Sequence, residues 1–272
     1  MSKIVVHPKD TYSLATHAWY FKQCEENREL LSKIQVVVPV RPADGMAIKL
    51  SQMLSIWYGE GTPWCTLNDH MGGFIETTRA NIAYQFKHEF THAEWLLMLD
   101  NDMEPPINLP WLLARHGEPI VGACCMSVSE QHGPQLCFTV KDQGGKHRFP
   151  AMHYGRKIPA TGLVEVGHVG TGALLVHRSV IEAFTFEAGD VPFYVPEEIR
   201  VEGAKTGSLL VGEDITFCNQ VRGKGYRMHV DMEAHVGHKK NCVLVWDPTD
   251  RDPAMDAASW VLPEQGLEFE AR

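Results

Sequence analysis

Apolar residues in this chain come in short unbroken runs, spaced by stretches of helical periodicity. Trp95-Leu-Leu-Met-Leu99 is the cleanest of these runs and predicts a strand buried on both faces. Ile34–Val40, Trp64–Leu67, Pro119–Cys125 and the run after Gly172 repeat the pattern, with β-branched residues enriched in the first. Between them the periodicity predicts helices over about 46–58 and 75–90, and shorter ones near 111–115 and 179–184. A further helix opens at Glu213–Asp214, with Ile215, Phe217, Cys218 and Val221 on its apolar face and Gly223 or Gly225 as its stop. A strand from Tyr226 to Asp231 follows. Strand, helix, strand, helix, strand at these spacings predicts an α/β domain built from right-handed crossovers around a mostly parallel, Rossmann-like sheet flanked by helices. Residues 1–33 read as an N-terminal extension ending in a helix, residues 127–165 as an irregular insertion, and 242–272 as a surface tail.

Composition narrows this picture. A chain of 272 residues with 44% hydrophobic content can bury one generous core. No apolar run approaches the ~20 residues that span a bilayer, and the N-terminus lacks a secretory pattern, so a soluble, cytoplasmic protein without a membrane segment is expected. Seven cysteines form an odd set with no Cys-x-x-Cys spacing, which argues against a disulfide framework or a zinc knuckle. A formal charge of −9 argues against a generic nucleic-acid binder. One stretch departs from that balance. From Cys137 to Ala160 five basic residues (Lys141, Lys146, Arg148, Arg156, Lys157) meet one acid, Asp142, with Phe138, Phe149 and Tyr154 interleaved. A local +4 of this kind suits either a solvated loop or a face for an anionic acceptor.

The candidate chemistry sits at strand ends. Asp100 and Asp102 follow the Trp95–Leu99 run directly, where open α/β sheets place ligands, and Pro105-Pro106 turns the chain out of the sheet. The pair reads either as an ordinary turn or as a seat for Mg²⁺ or Mn²⁺, which takes one or two carboxylates plus substrate phosphates. Gly170-Thr171-Gly172 precedes a strand rather than a helix and lacks a third glycine, so it is no dinucleotide fingerprint, but it lets a ligand approach the backbone. Asp214 could cap its helix, a reading that leaves Glu213 unexplained. His235 and His238 beside Lys239 and Lys240 could face phosphate, ligate a metal, or be structural.

Taken in order, Arg79-x-Asn81, Asp100-Asn101-Asp102, Gly170-Thr171-Gly172, Gly212-Glu213-Asp214 and Gly237-His238 resemble the GT-A fold glycosyltransferases, in particular bacterial and phage members similar to glycosyltransferase family 2. The resemblance covers roughly 34–241, with 34–125 as the nucleotide-sugar half and 126–241 as the acceptor and catalytic half. It implies a divalent metal, Mn²⁺ or Mg²⁺, on Asp102 and His238, with Asp100 on the ribose or on a metal-bound water. A UDP-sugar donor would be flanked by Pro39, Val40, Arg41 and Asp69, with Arg79, Asn81, Asn101 and the 170–172 glycine stretch also in its site. Asp214, with Glu213 beside it, would be the base of an inverting transfer. The acceptor is then a glycan or a hydroxymethylated base of phage DNA, met by Lys146, Arg148, Tyr154, Arg156 and Lys157. A nucleotidyltransferase would want a glycine-rich loop after the first strand, and Val40-Arg41-Pro42-Ala-Asp44-Gly45 is poor in glycine. A binding protein on a transferase core is the non-enzymatic alternative.

Overall fold

The structure, a computed structural model, describes residues 21–40, 45–68, 75–129, 133–141, 147–148, 161–195, 212–239, 243–245 and 259–261. The first half holds α1 (Arg28–Ser32), β1 (Ile34–Val40), α2 (Ile48–Gly59), β2 (Trp64–Asn68), α3 (Ile75–His88), β3 (Trp95–Leu99), β4 (Met103–Glu104) and α4 (Leu109–Ala114). Then come β5 (Ile120–Ser129), β6 (Gly133–Leu136), β7 (Phe138–Lys141), β8 (His147–Arg148), β9 (Leu163–Val166), β10 (His168–Val169), β11 (Ala173–His177) and α5 (Arg178–Glu182). The last described elements are α6 (Glu213–Gly223), β12 (Met228–Lys239), β13 (Val243–Val245) and β14 (Ser259–Val261).

The main sheet runs β14-β13-β12-β5-β11-β3-β1-β2. Strands β2, β1 and β3 are parallel, β11 is reversed between β3 and β5, and β12 returns parallel to β5. This is the mostly parallel α/β sheet that the apolar runs predict. Alternation along the strands divides the core into two layers. Val36, Val38, Leu97 and Leu99 face Leu50, Leu54 and Trp57 of α2 and Leu109 and Leu112 of α4. Val37, Leu96 and Met98 face Ile82 and Phe86 of α3, Val180 of α5, and Phe217 and Val221 of α6. Trp57 is fully buried, and its indole N–H donates to the Ile107 carbonyl at 2.6 Å, so its one polar atom is satisfied. Pro39 has no N–H to give, and it lies beyond the last β1–β3 pair, Val37 with Met98, where no ladder bond to β3 is lost.

Three sequence expectations are revised. Cys24 and Leu31, at the end of the supposed extension, are only 1% exposed and pack in the α2–α4 layer, because residues 21–33 bring apolar side chains back against β1. The stretch 127–165 is not irregular where it is described. Short strands run through it: β6, which begins at Gly133-Pro134, pairs with β5, β7 with β8 and β10, and β9 with β12. In the tail, β13 and β14 add two antiparallel strands at the sheet edge. Among the described residues no helix is long and apolar enough to cross a membrane.

β12 is longer than the Tyr226–Asp231 run suggests because it is bulged. Between Asp231 and His235 it advances four residues while β5 advances one, from Ala123 to Cys124. Asp231, with no exposed surface, pins the bulge. One carboxylate oxygen accepts from the Glu233 N–H (2.8 Å), and the other pairs with Arg115 Nη2 (3.1 Å) and His116 Nε2 (2.8 Å). A buried acid is tolerable only when paired and hydrogen-bonded in this way. The bulge resets β12 so that its far end, at His238, pairs with β4.

His229, on the same strand, carries a pH dependence. Its ring is buried, its Nδ1 has no hydrogen-bond partner among the described residues, and burial holds its pKa below 6.5 despite Glu118 at 3.6 Å, which pulls the other way. His177 is lowered for the same first reason. Because the unfolded chain takes up these protons first, the folded state is fully favoured above pH 6.5 and loses stability as pH falls through and below that value. The melting temperature is therefore expected to drop from pH 7.5 towards pH 5, and His229→Asn to show a shallower drop. Parallel pH profiles for parent and variant would remove His229 from the account.

Candidate active site

The Asp-x-Asp element is a tight turn knitted to its surroundings on three sides. The Met103 N–H returns to the Asp100 carbonyl at 3.1 Å, closing the turn. The Asp100 N–H donates to the Gly172 carbonyl (2.9 Å), and the Lys239 N–H donates to the Asp102 carbonyl (2.8 Å). Asn101 fixes the third side: its side chain donates to the Gly45 carbonyl at 3.0 Å, and its own carbonyl accepts from the Ala47 N–H at 2.9 Å. Beyond these backbone bonds stand the two carboxylates, Asp100 and Asp102. They face two different partners.

Asp100 turns to Arg79. Arg79 sits on the buried face of α3, 4% exposed, and its Nη2 donates to Asp100 Oδ1 at 2.7 Å while Nη1 donates to Glu213 Oε1. One guanidinium thus joins the end of β3 to the start of α6. Asn81, two residues on and about 200° round the helix from Arg79, is exposed, and the structure does not bring it to this cluster.

Asp102 turns to His238. His238 Nδ1 lies 2.9 Å from the Met126 carbonyl and Nε2 lies 3.2 Å from Asp102 Oδ2. A carbonyl only accepts, so Nδ1 carries a hydrogen, and Nε2 of the neutral ring turns its lone pair to a carboxylate. Two acceptors at that distance need a cation, either a proton or a metal ion, to make the contact attractive. Metal-ligating histidines commonly give their other N–H to a carbonyl, which is the arrangement here. Among the described residues no group of three or more His, Cys, Asp or Glu could hold a metal ion alone. A site of Asp102 and His238 is therefore two-sided, and fits a cation that completes its shell with substrate phosphates.

On α6 the cap is Gly212, not Asp214. Asp214 is the second helical residue, and its Oδ1 accepts from its neighbour's N–H, Ile215, at 2.7 Å. That oxygen lies 2.8 Å from where a Cβ on Gly212 would stand, so a larger residue there would make the Asp214 carboxylate shift. The capping account of Asp214 therefore fails, and Glu213, which capping left unexplained, is the partner of Arg79. The glycine pair is also explained within the protein. A Cβ on Gly172 would meet the Met103 methyl at 2.3 Å and Asp100 Oδ2 at 3.4 Å, and one on Gly170 would meet Cys137 at 3.1 Å. Thr171 between them is buried. Gly172 lets β11 and the Asp-x-Asp turn close on each other, and Gly170 lets the chain before β11 pass Cys137, roles the sequence reading gave to an approaching ligand.

Pro39 is buried and Val40 half-buried at the carboxyl end of β1, on the same edge of the sheet as Asp100. Arg41, Asp69, Lys146, Tyr154, Arg156 and Lys157 lie outside the described residues, and of Arg148 only its place in β8 is described. The cysteines offer no nucleophile among Cys124, Cys125 and Cys218. Burial pushes all three thiols up, Cys218 to about 12. The Met126 carbonyl and the β4–β12 pairing that orient His238 were not legible beforehand, since a backbone acceptor leaves no mark in a sequence.

No protein-family model and no curated protein matches this chain. Its structure is similar to the crystal structure of A197 from STIV, at 15% identity and a TM-score of 0.51, over 88% of this chain and 98% of that one. The likeness shows a shared fold. The structure of a putative glucose-1-phosphate thymidylyltransferase from Bacillus anthracis in complex with a sucrose aligns at 14% identity, over 71% of this chain and 70% of that one. Its TM-score of 0.31 is too low to carry a conclusion.

Proposed function

We propose that this chain is a cation-dependent glycosyltransferase that moves a sugar from a nucleoside-diphosphate sugar, with uridine as the nucleoside, to an acceptor hydroxyl with inversion. The observation that carries this reading is the Asp102–His238 contact, a carboxylate oxygen and an imidazole nitrogen 3.2 Å apart, positioned by the Met126 carbonyl and the β4–β12 ladder. Mn²⁺ or Mg²⁺ would be held by Asp102 and His238 and would supply positive charge against the departing diphosphate. The remaining work falls to the chain. Asp214 takes the proton from the acceptor hydroxyl as its oxygen bonds to the anomeric carbon and the bond to the diphosphate breaks. Glu213, held by Arg79, keeps the first turn of α6 in place beside it. Pro39, Val40, Arg41 and Asp69 flank the nucleoside. The acceptor is anionic, a phosphorylated glycan or hydroxymethylated DNA, which the +4 stretch containing Lys146, Arg148, Tyr154, Arg156 and Lys157 supports.

The test is a thermal-shift series with UDP, with and without Mn²⁺. A ligand at 100 times its dissociation constant adds about 2.7 kcal/mol of apparent stability, so UDP with Mn²⁺ should raise the midpoint clearly and UDP with chelator should not. Equal shifts in both conditions would remove the cation from the reading, and no shift with any nucleoside diphosphate would remove the donor.

A further inference from the structure

Arg79 is placed where a donor ligand was expected, yet its charged atoms are occupied by the protein. Its side chain is 5% exposed, one Nη is on Asp100 and the other on Glu213, and its Nε is buried without a hydrogen-bond partner among the described residues. The two acids come from different halves of the chain, 21 and 134 residues away in sequence. A guanidinium is rigid and forked, so it fixes the separation and orientation of two carboxylates in a way a single ammonium does not. Asp100 Oδ1 is thereby committed, and its Oδ2 faces the backbone at Gly172. Asp102, two residues on, faces His238 instead.

We infer that Arg79 is a positioning residue that withholds Asp100 from the cation and ties the start of α6 to the end of β3, so that the cation's seat and the base are held in one register. This rests on the proposed cation-dependent transfer. The cation then meets one carboxylate of the pair, Asp102, and Asp100 acts as the anchor of the tether. Without the tether two things change together. Asp100 is released to join the cation's ligands, and Glu213, left half-buried without its partner, no longer holds the first turn of α6 where Asp214 works.

The experiment is direct titration of Mn²⁺, read from the electron paramagnetic resonance of the free ion in the presence of UDP, on the parent, Arg79→Met, Asp100→Asn and the double variant. Arg79→Gln replaces Arg79→Met should the latter not fold. Arg79→Met should bind Mn²⁺ about tenfold more tightly, because the Asp100 carboxylate is freed to join the ion. Combined with Asp100→Asn it should bind within about twofold of Asp100→Asn alone, since the gain runs through that carboxylate. A purely structural arginine would not tighten the ion. Mn²⁺ binding that is unchanged or weaker in Arg79→Met, or a gain that survives in the double variant, overturns the inference and leaves the transferase reading standing. A parent that takes up no Mn²⁺ overturns the cation-dependent reading, and this inference with it.

Discussion

Replacing Asp214 with Asn is expected to lower turnover by about 10²-fold or more while leaving the melting temperature close to that of the parent. The separation of the two effects follows from where Asp214 sits. It is the second residue of α6, after the Gly212 cap, and its Oδ1 accepts from the Ile215 N–H. Asparagine keeps that acceptor and the side-chain shape, so the stability at stake is the charge in the first helical turn, about 0.3–1 kcal/mol. What is lost is the second oxygen as a proton acceptor. Single-turnover rates and thermal melts on the same preparations check both halves. Turnover within fivefold of the parent would take the base role from Asp214. Glu213→Gln would then test Glu213 in that role, and because it weakens the tether to Arg79 it should cost stability as well as rate.

The parts of the fold written in side chains were legible in the sequence, and the parts written in backbone pairing were not. Trp95–Leu99 and Ile34–Val40 had to be central strands because no other element buries both faces of so short a run, and both are fully or almost fully buried in the sheet. Nothing in Ala173–His177 says that it runs antiparallel between β3 and β5, because a strand covered on both faces is apolar in either direction. The bulge in β12 was hidden for a related reason. Asp231 reads as the end of a strand, and only the partners Arg115 and His116, 116 and 115 residues away, turn it into a buried pin.

The site divides the same way. Asp100 and Asp102 were legible from their place after a buried run, but one carboxylate facing Arg79 and the other facing His238 is a property of the turn's hydrogen bonds. Glycines 170 and 172 were legible as close approaches, although what approaches is Cys137 and Met103, whereas the closeness of Gly212 to the Asp214 carboxylate was not. Asn81 illustrates the limit of a motif. Two residues from Arg79 places it on the far side of α3, so a resemblance in sequence spacing did not become a shared site.

Asp102→Asn is the other large effect, and its sign on stability is as informative as its loss of function. In the parent, His238 gives its Nδ1 hydrogen to the Met126 carbonyl and meets Asp102 through Nε2. An asparagine amide can turn its NH₂ to that lone pair, converting a contact of two acceptors into a hydrogen bond worth roughly 0.5–1.5 kcal/mol. The metal-free variant should therefore melt at or above the parent's temperature. At the same time the seat loses its carboxylate, and Mn²⁺-dependent UDP binding, measured by calorimetry, should weaken by about 10²-fold, since one carboxylate is half of what the chain offers the cation. A carboxylate–imidazolium pair with no metal role predicts the opposite combination: a lower melting temperature for Asp102→Asn, because a half-buried ion pair is broken, and unchanged UDP affinity with or without Mn²⁺. The two measurements together distinguish a cation seat from a structural ion pair, because each account moves stability and affinity in its own direction.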